Sequence, residues 1–107
     1  MAMTPSDIDQ MHDLFAGVGE ITTRKMFGGL GIYANGTIFA VKMSDGAVKL
    51  KGMGDMAQVF TDEGWQPWTY TRKDGAASSM PYWTMPDELL DDPEAASEWA
   101  RRALDHL

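Results

Sequence analysis

Between residues 21 and 51 apolar and polar side chains alternate, and the alternation is interrupted at Gly28-Gly29, Asn35-Gly36 and Asp45-Gly46. Period-two patterning suits strands with a buried and a solvated face, and these dipeptides tolerate the positive φ angles of tight turns. Such a chain is constrained to build hairpins. The pattern predicts strands over residues 21–27, 30–34, 37–43 and 47–51, with Asn35-Gly36 as the best specified connection and with the first two alternatively forming one bent strand. On the third strand Phe39 and Val41 share a face opposite Ile38 and Ala40, which predicts a central position. On the fourth, Val48 and Leu50 point one way and Lys49 and Lys51 the other.

Helical signals flank this block. Thr4-Pro5 offers a capping hydroxyl and a first-turn proline. Ile8, Met11, Leu14, Phe15 and Val18 then recur at helical spacing until Gly17 and Gly19 stop them, leaving Asp7, Asp9 and Asp13 in water. Beyond Gly52 and Gly54, Asp55 can cap a short helix carrying Met56, Val59 and Phe60 that ends at Gly64. Strands are expected over 68–72 and 79–84, with Trp68 and Tyr70 on one face and Met80 and Tyr82 facing the same layer. Pro81 places the last strand at an edge or in a bulge. Pro86 opens a turn of helix, and Asp92-Pro93-Glu94 starts an amphipathic terminal helix through Ala96, Trp99, Ala100, Ala103, Leu104 and Leu107. The whole reads as an α+β protein.

The 107 residues make one domain's worth of chain, with 44% hydrophobic and 23% charged residues, as in soluble globular proteins. Nothing approaches a membrane-spanning apolar run, and Met1-Ala2-Met3 opens no secretory leader, so a cytoplasmic address is expected. Without cysteine there are no disulfides, thiolate nucleophiles or zinc ribbons. His12 and His106 lack metal-binding spacing and read as solvated histidines. Gly28-Gly29-Leu30-Gly31 lacks the glycine order and following helix of a phosphate loop, so it reads as a bend or a site of close backbone packing. Asp91 and Asp92 read as helix caps. No catalytic residue, metal ligand or cofactor is expected.

Charge is distributed unevenly. Residues 24–73 hold Arg24, Lys25, Lys42, Lys49, Lys51, Arg72 and Lys73 against four acids, a local balance of +3 within a net charge of −7. The pattern predicts a basic sheet face and acidic helices, although cations that merely blunt strand edges would look the same. The four tryptophans and nine methionines suit either a rich core or an interface. Trp65, after a helix stop, and Trp83, alternating away from Met80 and Tyr82, are the candidates for partial exposure, while Trp68, Tyr70 and Tyr82 are expected to be core.

The run Arg24-Lys25-Met26-Phe27-Gly28-Gly29-Leu30-Gly31-Ile32-Tyr33, followed by Asn35-Gly36, resembles the signature of the TfoX/Sxy N-terminal domain family. Lys49-Leu50-Lys51, Trp68-Thr69-Tyr70, Ser79-Met80-Pro81-Tyr82-Trp83 and Pro86-Asp87-Glu88-Leu89-Leu90 are similar to its later landmarks. The resemblance implies a bacterial source and a two-layer α+β fold, mainly an antiparallel sheet with helices. The implied order is helix, three strands, helix, two strands, helix, similar to secretion chaperones. It also implies regulation of natural competence genes together with the cyclic-AMP receptor protein. Regulators of that kind carry a further C-terminal domain similar to helix-hairpin-helix DNA-binding modules, and the resemblance here covers the N-terminal domain alone.

The expected function is a non-enzymatic regulatory or adaptor domain that binds an unidentified protein, with a homodimer as one candidate assembly and no direct nucleic-acid binding. Arg24, Lys25, Lys49 and Lys51 would supply a cationic rim and Trp65 or Trp83 a hydrophobic anchor. Met26, Phe27, Gly28, Gly29, Gly31 and Tyr33 are assigned to architecture. The alternatives are direct DNA binding through the basic face and a small ligand or enzymatic site at residues 28–31.

Overall fold

The computed structural model describes residues 4–26, 29–71 and 73–107. Phe27, Gly28 and Arg72 therefore lie outside the described residues, as do Met1-Ala2-Met3 and the side chain of Tyr70. Helix α1 (Pro5–Leu14) begins as the sequence requires: the Asp7 N–H donates to the Thr4 hydroxyl and the Thr4 N–H donates to the Asp7 carboxylate. This reciprocal box satisfies two otherwise orphaned donors. A 3-10 turn at Ala16–Val18 follows, and then strands β1 (Thr22–Met26), β2 (Gly29–Ala34), β3 (Thr37–Lys42) and β4 (Val48–Lys51). Helix α2 (Asp55–Asp62), strands β5 (Gln66–Thr71) and β6 (Ala77–Thr84), a 3-10 turn at Asp87–Asp91 and helix α3 (Pro93–Leu104) complete the chain.

The strands form one antiparallel sheet in the order β1-β2-β3-β4-β6-β5. Met26 pairs with Gly29 and Thr22 with Tyr33, so β1 and β2 are separate hairpin partners, and four strands precede α2 where the family order leads one to expect three. Asn35 and Gly36, at φ 53° and 80°, turn β2 into β3, the geometry that this dipeptide favours.

One expectation about side-chain direction is corrected by a bulge. Ile32 pairs with Ala40 but Tyr33 with Ile38, so Phe39 is an extra residue on β3. It therefore joins Ala40 in the core beneath the helices, while Val41 lies on the opposite face. Across β5 and β6, Pro67 pairs with Trp83 and Trp68 with Met80, leaving Pro81 and Tyr82 as the bulge. Pro81 thus sits in a bulge, one of its two expected placements, within an interior strand. Its missing N–H is tolerated by the bulge, and its carbonyl accepts from the Gly52 N–H at 2.9 Å.

All helices pack on one face of the sheet. Met11, Leu14 and Phe15 of the first helical segment meet Ile32, Phe39, Val48 and Leu50, with the Phe15 and Phe39 rings edge to face at 5.2 Å. Ala96, Ala100 and Ala103 are fully buried, and such small side chains let α3 lie close to the sheet and α1. Asp92 caps α3 by accepting from the Ala95 N–H, whereas α2 is capped by Gly54, with Asp55 already inside the helix. No described helix is long and apolar enough to cross a membrane.

Candidate functional site

No described helix covers the other face of the sheet. One register row crosses all six strands there, through Arg24, Gly31, Val41, Lys49, Thr84 and Gln66. Lys51 and Tyr82 pair in a neighbouring row on the same face. Three expected rim cations, Arg24, Lys49 and Lys51, are therefore brought together on it. Lys25 alternates to the helix side of edge strand β1, where it is exposed. None of the six strands contains Asp or Glu, so all 16 acids lie in helices, turns and connections.

Met26, Val41, Met43, Trp68, Met80 and Tyr82 line a pocket on this open face. A flat sheet would hold β1 and β5 about 24 Å apart, at five strand spacings. That both contribute to one pocket means that the sheet curls and its open face is concave. Tyr82 is buried there, with its ring edge to face with Trp68 at 5.9 Å. Burial first, and then the neighbouring Tyr33, push its phenol above the usual 10.0, so it is an uncharged hydrogen-bonding group at neutral pH.

Lys49 is held in place. Its ammonium donates to the Thr84 hydroxyl at 2.8 Å and sits 5.7 Å from the centre of the Trp68 ring, a distance at which the quadrupole of the ring attracts a cation. Among the described residues neither Lys49, Lys51 nor Arg24 forms an ion pair; the one salt bridge joins Lys42 to Asp7.

The signature glycines serve this face through close approach. A Cβ on Gly29 would stand 2.7 Å from the Lys42 carbonyl oxygen, and one on Gly31 would stand 2.7 Å from the Met26 sulfur. Tyr33, half-buried, packs beside Gly31. Leu30 and Gly31 pair with both β1 and β3, and Gly29 pairs with Met26 of β1, which engages the backbone that a phosphate cradle would need.

Trp65 and Trp68 depart from expectation, whereas Trp83 is partly exposed as expected. Trp65 is only 6% exposed, stacked on Phe60 at 4.5 Å and 5.0 Å from Trp99. The helix stop at Gly64 turns its indole inward under α2. Trp83 is half-buried on the helix side, 5.8 Å from Phe60. Trp68, expected in the core, is instead partly exposed on the open face. Sequence reading also missed Lys42, which is 6% exposed and reaches Asp7 and Gln10 of α1. His12 and His106 are exposed.

The family model described as TfoX N-terminal domain matches residues 13–107, nearly the whole chain. No curated protein matches the chain.

Proposed function

We propose that this chain, which belongs to the TfoX N-terminal domain family, is a non-enzymatic regulatory domain that acts by binding another protein, in the transcriptional control of competence-type genes. The observation that carries this reading is the concave open face, where Arg24, Lys49 and Lys51 share one surface with a pocket of apolar and aromatic side chains. Interfaces of the protein-binding kind combine an apolar centre with a polar rim. The pocket offers few groups able to move a proton: Tyr82 is held in its neutral form, and methionine, valine and tryptophan supply the rest. An anchoring role passes from Trp65, which lies in the core, to the side chains of the open face, with Trp83 on the opposite layer.

The test is site-specific photo-crosslinking in the source bacterium, with the photoreactive residue placed at Lys51 on the open face or at the exposed Glu98 of α3. A transcription regulator crosslinked from position 51 and absent from position 98 is expected. Recovery of the chain without any protein crosslinked from either position, while competence transcripts are unaffected by deletion of the gene, would overturn the reading.

A further inference from the structure

We infer that the open sheet face is a docking site for an acidic polypeptide segment in which Asp or Glu residues flank one or two large apolar side chains. The inference rests on the protein-binding reading above and deepens it by fixing the chemistry of the partner. Arg24 and Lys49 stand in one register row, three strands apart, with Gly31 and Val41 between them. Lys51 lies two residues farther along β4. Positive charge therefore brackets a low, apolar stretch that opens on the pocket formed by Met26, Val41, Met43, Trp68, Met80 and Tyr82. No described residue on the face neutralises these three cations in an ion pair, and no strand carries an acid. The missing negative charge is what a partner would bring.

Other occupants fit less well. Two copies meeting by this face would oppose Arg24, Lys49 and Lys51 to one another, which like charge penalises. A nucleic acid would gain from the same cations, but its phosphates would approach a molecule of net charge −7. A pocket floored by methionine, valine and aromatic rings rewards an inserted aliphatic or aromatic side chain and gives a phosphate no hydrogen-bond donor beyond the Tyr82 hydroxyl and the Trp68 indole.

The experiment selects from a phage-displayed library of random peptides of about a dozen residues, long enough to cross the sheet when extended, on the full chain. The charge-reversed double variant Lys49→Glu, Lys51→Glu serves for counter-selection. Thermal melting checks that the variant is folded, and Arg24→Glu, at an exposed edge position, is a second reversal. Enriched peptides should carry carboxylates on both sides of Leu, Phe or Trp. Fluorescence anisotropy of a labelled winner should weaken about tenfold or more on either reversal and fall with added salt. Enrichment of basic or uncharged peptides, equal binding to the folded variants, or no enrichment would overturn the inference. So would a dimer, seen by light scattering, that the reversals dissociate, or duplex DNA retarded by the chain and released by them. If crosslinking identifies a protein partner whose binding survives both reversals, the docking site fails while the protein-binding reading stands. If no polypeptide is found by either route, both fail.

Discussion

The Lys42 ammonium lies 3.2 Å from the Asp7 carboxylate, tying the third strand to the first helix across the layer interface. Lys42 also donates to the Gln10 side chain, so this buried cation is paired and hydrogen-bonded. The carboxyl of Asp7 is held below its ordinary 3.8, first by the hydrogen bond from the Thr4 backbone, then by the Thr4 hydroxyl and by Lys42. A carboxylate whose pKa is depressed by folding contributes stability above its unfolded value, and that contribution is lost as pH falls through the folded one. Asp7→Asn should therefore lower the urea midpoint at neutral pH by an amount that shrinks as the pH drops below about 4. A midpoint difference independent of pH from 7 down to 2.5 would show that the charge of Asp7 contributes nothing.

Ser97 links the first and last helices. Its hydroxyl donates to the Leu14 carbonyl at 3.1 Å and accepts from the Gly17 N–H at 3.1 Å, closing the end of α1 from α3. Ser97→Ala leaves the buried Leu14 carbonyl and the part-buried Gly17 N–H short of a partner and should cost about 1–3 kcal/mol, read from chemical denaturation. A loss within measurement error would mean that water reaches Leu14 and Gly17.

Much of this architecture is legible locally. Thr4-Pro5, Asn35-Gly36 and Asp92-Pro93 each act within a few residues, so their chemistry survives in the bare sequence. Strand alternation likewise separates Lys49 and Lys51 from Val48 and Leu50. Phe39 illustrates what escapes: its bulge carries no glycine or proline to signal it, yet it reverses the facing of one residue relative to the alternation. Trp65 escapes for another reason, since its rings are met by Phe60 and by Trp99, more than thirty positions later. The apolar pocket depends on sheet curvature that brings together strands with others between them, and no local pattern records it.

Phe60 is fully buried and touches three tryptophan rings, at 4.5, 5.8 and 5.9 Å. Phe60→Ala should cost about 3–5 kcal/mol and diminish the near-ultraviolet circular dichroism of the tryptophans. Gly52→Ala presses on the same cluster from the sheet, because its Cβ would stand 2.8 Å from the Phe60 ring and 3.0 Å from Trp83. Overpacking of this kind costs about 1–3 kcal/mol. An unchanged dichroism spectrum in the Phe60 variant would refute a tightly ordered cluster.

Gly29 and Gly31 are alike in sequence and differ in what an added methyl would meet. At Gly29 the obstacle is the Lys42 carbonyl oxygen at 2.7 Å, backbone that belongs to the β2–β3 ladder and cannot move without disturbing the pairing. At Gly31 the nearest atom is the Met26 sulfur at 2.7 Å, the far end of a flexible side chain, with Tyr33 and Ile38 at 3.2 and 3.3 Å. Methionine can swing aside at little cost. Gly29→Ala should therefore destabilise the protein more than Gly31→Ala, by about 1 kcal/mol or more on the scale of overpacked sites, as measured by paired urea titrations. Gly31→Ala should instead displace Met26 within the apolar pocket, visible as a shift of its methyl resonance and that of the neighbouring Val41. The reverse order of stabilities would mean that Met26 is fixed more firmly than the strand backbone, and that the pocket is a rigid feature of the fold.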